Sequence, residues 1–123
     1  LFEIAFAQRD QARGREYFHE FICSDWARRF DQADLLPPYE ARYEMLEQKW
    51  EAAVERFRRY FQSIQLGPGN YQESLARHAL DYGDALFQDG RTAEAIDIWR
   101  AAATLPGDAG NRPWQTIIRR RLA

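Results

Sequence analysis

Glu16-Tyr17-Phe18-His19 is the stretch whose residue types and spacing come nearest to chemistry. An E-x-x-H on a helix sends both side chains to one side, the arrangement from which di-iron bundles build a site, using two such motifs and two further glutamates. The second motif is missing here. His78 is the only other histidine, and the residue three before it is Leu75, which cannot ligate a metal. An incomplete ligand set seldom holds an ion, so no metal site is expected and His19 reads as a surface or boundary residue. Cys23 stands four residues beyond His19, near enough on a helix to approach it. Next to Ile22 and Trp26, however, a cysteine reads as a small buried hydrophobe rather than a nucleophile. Gly-rich phosphate loops, a G-x-S-x-G elbow and zinc-type cysteine pairs are absent from the sequence. The expectation is a non-enzyme with no catalytic residue and no cofactor.

Arg119-Arg120-Arg121, with Arg112 nearby, is the one dense basic cluster. A run of this length is read as a solvated helix face, and without interleaved aromatics it makes no case for nucleic acid. The net charge of −2 points the same way. Hydrophobic content of 46% and aromatic content of 15% belong to a folded chain, and 123 residues suit one domain with one core. No apolar run is long enough to span a bilayer, so no membrane is expected. The single cysteine excludes an internal disulfide and slightly favours a cytoplasmic, reducing setting. A first residue of Leu rather than Met suggests a piece of a larger protein.

These side chains must be positioned by helices. Residues 2–12 are compatible with a helix but weakly patterned, and Gly14 is expected to break it. From Arg15 to Phe30, Phe18, Ile22, Trp26 and Phe30 recur every four residues, an amphipathic helix. Leu35-Leu36-Pro37-Pro38 is expected to end it. Tyr39, Tyr43, Leu46, Trp50, Ala53, Phe57, Tyr60 and Ile64 then alternate spacings of four and three with no Gly or Pro between them. That unbroken pattern favours one long helix over 38–65, antiparallel to the helix at 15–31, with Trp50, Phe57 and Tyr60 supplying much of the core. A loop at Leu66–Asn70 leads to a helix from Tyr71 to Gln88 that buries Leu75, Ala79, Tyr82 and Leu86. Asp89-Gly90 makes a tight turn, with Gly90 at positive φ and Thr92 as the next cap. The second helix covers 92–104, stopped by Pro106-Gly107. Gly83, Ala95 and Ala102 are small enough to let the two helices approach closely. Pro113 opens a last helix carrying Trp114, Ile117, Ile118 and Leu122.

The stretch from about 73 to 106 resembles a tetratricopeptide repeat, matching at Tyr82-Gly83, Leu86, Gly90, Ala95, Trp99, Ala102 and Pro106. Leu86 stands where that family often has an aromatic, and Pro106 arrives one residue early. Residues 41–65 admit a second, degenerate unit, with Ala53 and Phe57 aligned to Ala95 and Trp99. Against it, Gln48 sits where the turn glycine belongs and Glu44 where an apolar residue is expected. The resemblance implies a binding surface on the first helix of the unit, here Arg77, Asp81, Asp84 and Gln88. Its chaperone-type members clamp a terminal carboxylate with Lys and Asn, and Asp84 stands at the Asn position, so acidic C-terminal tails are not expected ligands.

Taken together the residues describe an all-α chain of about five helices, a single domain over 1–123. It comprises a long helical pair at 1–66, a tetratricopeptide-like hairpin at 70–106 and a capping helix at 113–122. The expected function is a non-enzymatic scaffold or adaptor module that presents a helical surface to a protein or peptide. Two alternatives stay open: homotypic pairing into a homodimer through the long helix or the Trp114 end, and a helical accessory domain of an enzyme using Glu16 and His19.

Overall fold

The computed structural model describes residues 6, 8, 10–22, 36–64, 66, 75–106 and 112–122. Cys23, Trp26 and Phe30 lie outside them. Among the described residues the protein is all-α, with six α-helices, one 3-10 turn and no strand. The contacts divide the chain into two compact units, Leu1–Tyr60 and Phe61–Ala123.

The first unit contains α1 (Gln11–Ile22), α2 (Leu36–Leu46) and α3 (Trp50–Tyr60). Asp10 starts α1 as its cap: its carboxylate accepts the Arg13 amide at 3.1 Å, which satisfies one of the donors that every helix start leaves over. Gly14 is therefore inside α1, not at a break, and is buried there. Phe18 stacks on Tyr43 of α2, ring centroids 4.2 Å apart and planes 11° from parallel. Pro37 and Pro38 do not precede α2 but form its first turn, where a missing N–H costs no intrahelical bond.

The long helix expected over 38–65 is two helices. After Leu46 the chain turns at Glu47–Lys49 and returns as α3. The Lys49 amide donates to the Glu44 carbonyl at 2.8 Å and the Gln48 amide to Met45 at 3.0 Å, the paired bonds of a Schellman termination. Gln48 supplies the left-handed residue this needs, at φ 62°. Arg56 of α3 ties the hairpin across its outside, bonding Glu40 at 3.0 Å and also Glu44. Ala41, Met45, Leu46, Ala53, Val54 and Phe57 form the core within it.

A non-glycine residue in the left-handed region costs about 1 kcal/mol or more. Gln48→Gly should therefore stabilise the chain by about 1 kcal/mol, measured by urea unfolding. In an unbroken helix the same change would destabilise by a similar amount.

Glu47, at the same turn, accepts two hydrogen bonds from the Arg15 guanidinium at 2.9 and 2.8 Å and one from Gln11 at 3.3 Å. The Arg15 bonds foremost hold its carboxyl below the ordinary glutamate value, and they raise Arg15 in turn. A lowered carboxyl stabilises the fold above the unfolded value, and that contribution is lost as pH falls through the folded one. The stability difference between the wild type and Glu47→Gln should hold at neutral pH. It should shrink below the ordinary glutamate value of about 4.3, as read by urea unfolding at a series of pH values.

The second unit holds a 3-10 turn (Phe61–Ser63), α4 (Leu75–Gln88), α5 (Thr92–Ala103) and α6 (Arg112–Leu122). Phe61 stacks on Tyr82 of α4 with centroids 5.4 Å apart. The α4–α5 turn repeats the first one bond for bond: Arg91 amide to Leu86 carbonyl at 2.8 Å and Gly90 amide to Phe87 at 3.1 Å. Gly90 takes the left-handed position at φ 83°. Asp89, Gly90 and Arg91 thus stand where Glu47, Gln48 and Lys49 stand, 42 positions later. Ala53 and Phe57 correspond in the same way to Ala95 and Trp99, and all four are buried. Thr92 is not the cap of α5; that position is Arg91, without a side-chain cap bond.

Gly83 places no Cβ between α4 and the Trp99 indole, whose Nε1 donates to the Leu80 carbonyl at 3.4 Å. Phe87 is 50% exposed, its ring tilted 33° from that of Trp99 with centroids 6.2 Å apart. The last helix packs on both α5 and α4. Its buried residues are Ile118 and, unforeseen, Gln115, whose amide donates to the Leu105 carbonyl.

Candidate functional site

Arg77, Asp81, Asp84 and Gln88 follow one another at spacings of four, three and four, which makes them a single stripe along α4. Most of this stripe is occupied by the chain itself. The Arg121 guanidinium of α6 makes a two-point bond to Asp84, Nε to Oδ1 at 2.6 Å and Nη2 to Oδ2 at 3.0 Å. Such fork-to-carboxylate pairing fixes orientation as well as charge. The Asp84 hydrogen bond raises the Arg121 pKa first, and the Asp81 charge adds to it. Asp81 itself is buried. At the other end of the stripe the Arg77 guanidinium lies over the Trp114 ring, 5.2 Å from its centroid, within cation–π range. Gln88 alone of the four is exposed, beside exposed Phe87.

Both contacts come from one register. Arg77 and Asp84 are seven apart, as are Trp114 and Arg121, so two helices running parallel bring both pairs together two turns apart. Trp114 and Arg121 are the residues that sequence reasoning did not assign to this surface. The matching intervals of seven were the available signal. All four arginines of the basic cluster are exposed, and Arg121 is in addition committed to Asp84. An arginine in the last turn of α6 also suits the negative end of the helix dipole.

The other candidates do not assemble. Glu16 and His19 are both exposed on α1. Among the described residues no group of three or more His, Cys, Asp or Glu is placed to hold a metal ion. His78 is buried on α4. The pairing of His19 with Cys23 falls outside the described residues. No helix among the described residues is long and apolar enough to cross a membrane.

No protein-family model, curated protein or solved structure matches this chain. The class its own fold defines is an all-α chain of helical hairpins, with a charged stripe on the first helix of the second hairpin. That stripe is seated against an arginine-bearing helix.

Proposed function

We propose that this chain is a non-enzymatic protein-interaction module, a scaffold or adaptor part that uses tetratricopeptide-like hairpins to receive a helix or peptide of a partner. The observation that supports it is the α4 stripe, which engages an amphipathic helix through a charge-specific pair and a cation–π contact rather than through apolar area alone. Repeat units of this kind build extended binding surfaces. The open end of the stripe, Phe87 and Gln88, is where a partner segment meets it without displacing α6.

The reading is tested by selecting peptides from a random library on the immobilised full chain, then measuring them against Phe87→Ala and Gln88→Arg. Both positions are exposed, so the variants keep the fold. Selected peptides should bind these variants at least about tenfold more weakly, a loss of about 1.4 kcal/mol. Peptides indifferent to both substitutions, or no enrichment at all, would remove the α4 end as a binding surface.

A further inference from the structure

Within the second unit the α4–α5 hairpin buries Leu75, Ala79, Leu86, Ala95, Trp99 and Ala102, with Trp99 lying against Gly83. α6 is a separate element appended to it. It packs on both helices with Ile118 fully buried, meets α4 through Trp114 on Arg77 and Arg121 on Asp84, and reaches the end of α5 through Gln115 on the Leu105 carbonyl. An eleven-residue helix with arginine at three of its last four positions is too short to persist alone in water. Its helical state depends on having a hairpin to lie on.

Nothing in these contacts requires that the hairpin belong to the same chain. We propose that the α4 stripe also accepts α6 from a second copy, so that two chains exchange their terminal helices and each completes the other's stripe. The occupant is specified by what is already seated there: a helix with an aromatic residue seven positions before an arginine, parallel to α4, facing Arg77 and Asp84. Exchange of an identical element keeps every contact of the closed form and is a low-cost route to a dimer. The balance then rests on chain concentration and on the connector. α5 is followed by Thr104-Leu105-Pro106, and Pro106 cannot extend it. The exchange does not require that the chain bind any other protein.

Two single charge reversals test this, because only the exchanged pair can satisfy both. In Asp84→Arg the stripe repels its own α6, and in Arg121→Asp the helix repels its own stripe. Mixed in equal amounts, the two chains can exchange so that the reversed stripe meets the reversed helix while the intact Asp84 meets the intact Arg121. Sedimentation velocity should show each variant alone as a monomer and the mixture as a one-to-one dimer. The mixture should also melt above either variant. Where a single variant does not fold, both are refolded together from denaturant. Recovery of a folded heterodimer from chains that fail separately supports the exchange. A mixture that sediments and melts as the sum of its parts overturns it, as does a mixture that fails to refold while the double reversal on one chain folds. That result leaves the peptide selection at Phe87 and Gln88 unaffected, so the two ideas fail separately.

Discussion

Gly83→Ala should destabilise the protein by about 3 kcal/mol, although in an open helix the same change gains about 1 kcal/mol. The sign reverses because of what lies over the backbone there. A Cβ at position 83 would stand 2.1 Å from Trp99 Nε1 and 2.5 Å from Cδ1, well inside any contact distance. The obstruction is a rigid indole that is itself almost fully buried and whose N–H is directed at the Leu80 carbonyl. It cannot step aside without leaving its hydrogen bond and its packing. Urea unfolding measures the loss. Combined with Trp99→Leu, the penalty of Gly83→Ala should largely vanish, because the double change removes the atoms it collides with. An equal penalty in both backgrounds would place the cause elsewhere.

Phe57→Ala should cost about 4 kcal/mol, the range for deleting a fully buried aromatic ring. Phe57 is 0% exposed and shares the interior of its hairpin with Ala41, Met45, Leu46, Ala53 and Val54, none of which carries a ring to replace it. A loss of this size is a large fraction of the stability of an ordinary domain. A shift below about 1 kcal/mol in urea unfolding would mean that the ring is not the centre of the α2–α3 hairpin. Phe57 and Trp99 occupy corresponding positions in the two hairpins, each eight residues after the end of its turn at Lys49 and Arg91.

Why one hairpin was legible and the other was not follows from the two turns. Asp89-Gly90 announces itself, since glycine is the residue that takes positive φ without cost. At Gln48 the same conformation is made by a residue that pays for it. The turn at 47–49 also spends three residues, close to the 3.6 of a helical turn. The apolar phase of Tyr43, Leu46, Trp50 and Ala53 therefore runs through it undisturbed and reads as one helix. The aligned Ala53 and Phe57 held the correct clue to a hairpin at 41–65, and Arg56 bonded to Glu40 and Glu44 closes it. Phe87 falls on the same helical stripe as buried Gly83, yet it is half exposed near the end of α4, tilted against Trp99. Gln115 was missed because an amide is buried only where a specific acceptor waits, and that acceptor is a backbone carbonyl, Leu105, which no side-chain pattern announces.

For the candidate site, the stripe Arg77, Asp81, Asp84 and Gln88 was readable from the tetratricopeptide resemblance and from helical spacing. Its cover was not. Arg121 looked like part of a solvated run, and its commitment to Asp84 depends on α6 lying parallel to α4 in one register. Spacing within a helix does not set the register between two helices.

The two-hairpin architecture, on which the surfaces and the equivalence of the turns depend, is tested most directly by nuclear magnetic resonance of the full chain in the region of Gln48. The expected result is a positive φ at Gln48, with Hα-to-amide contacts three residues apart ending at Leu46 and resuming from Trp50. An unbroken ladder of those contacts from Leu36 to Tyr60, with a helical φ at Gln48, would contradict it and restore the single long helix.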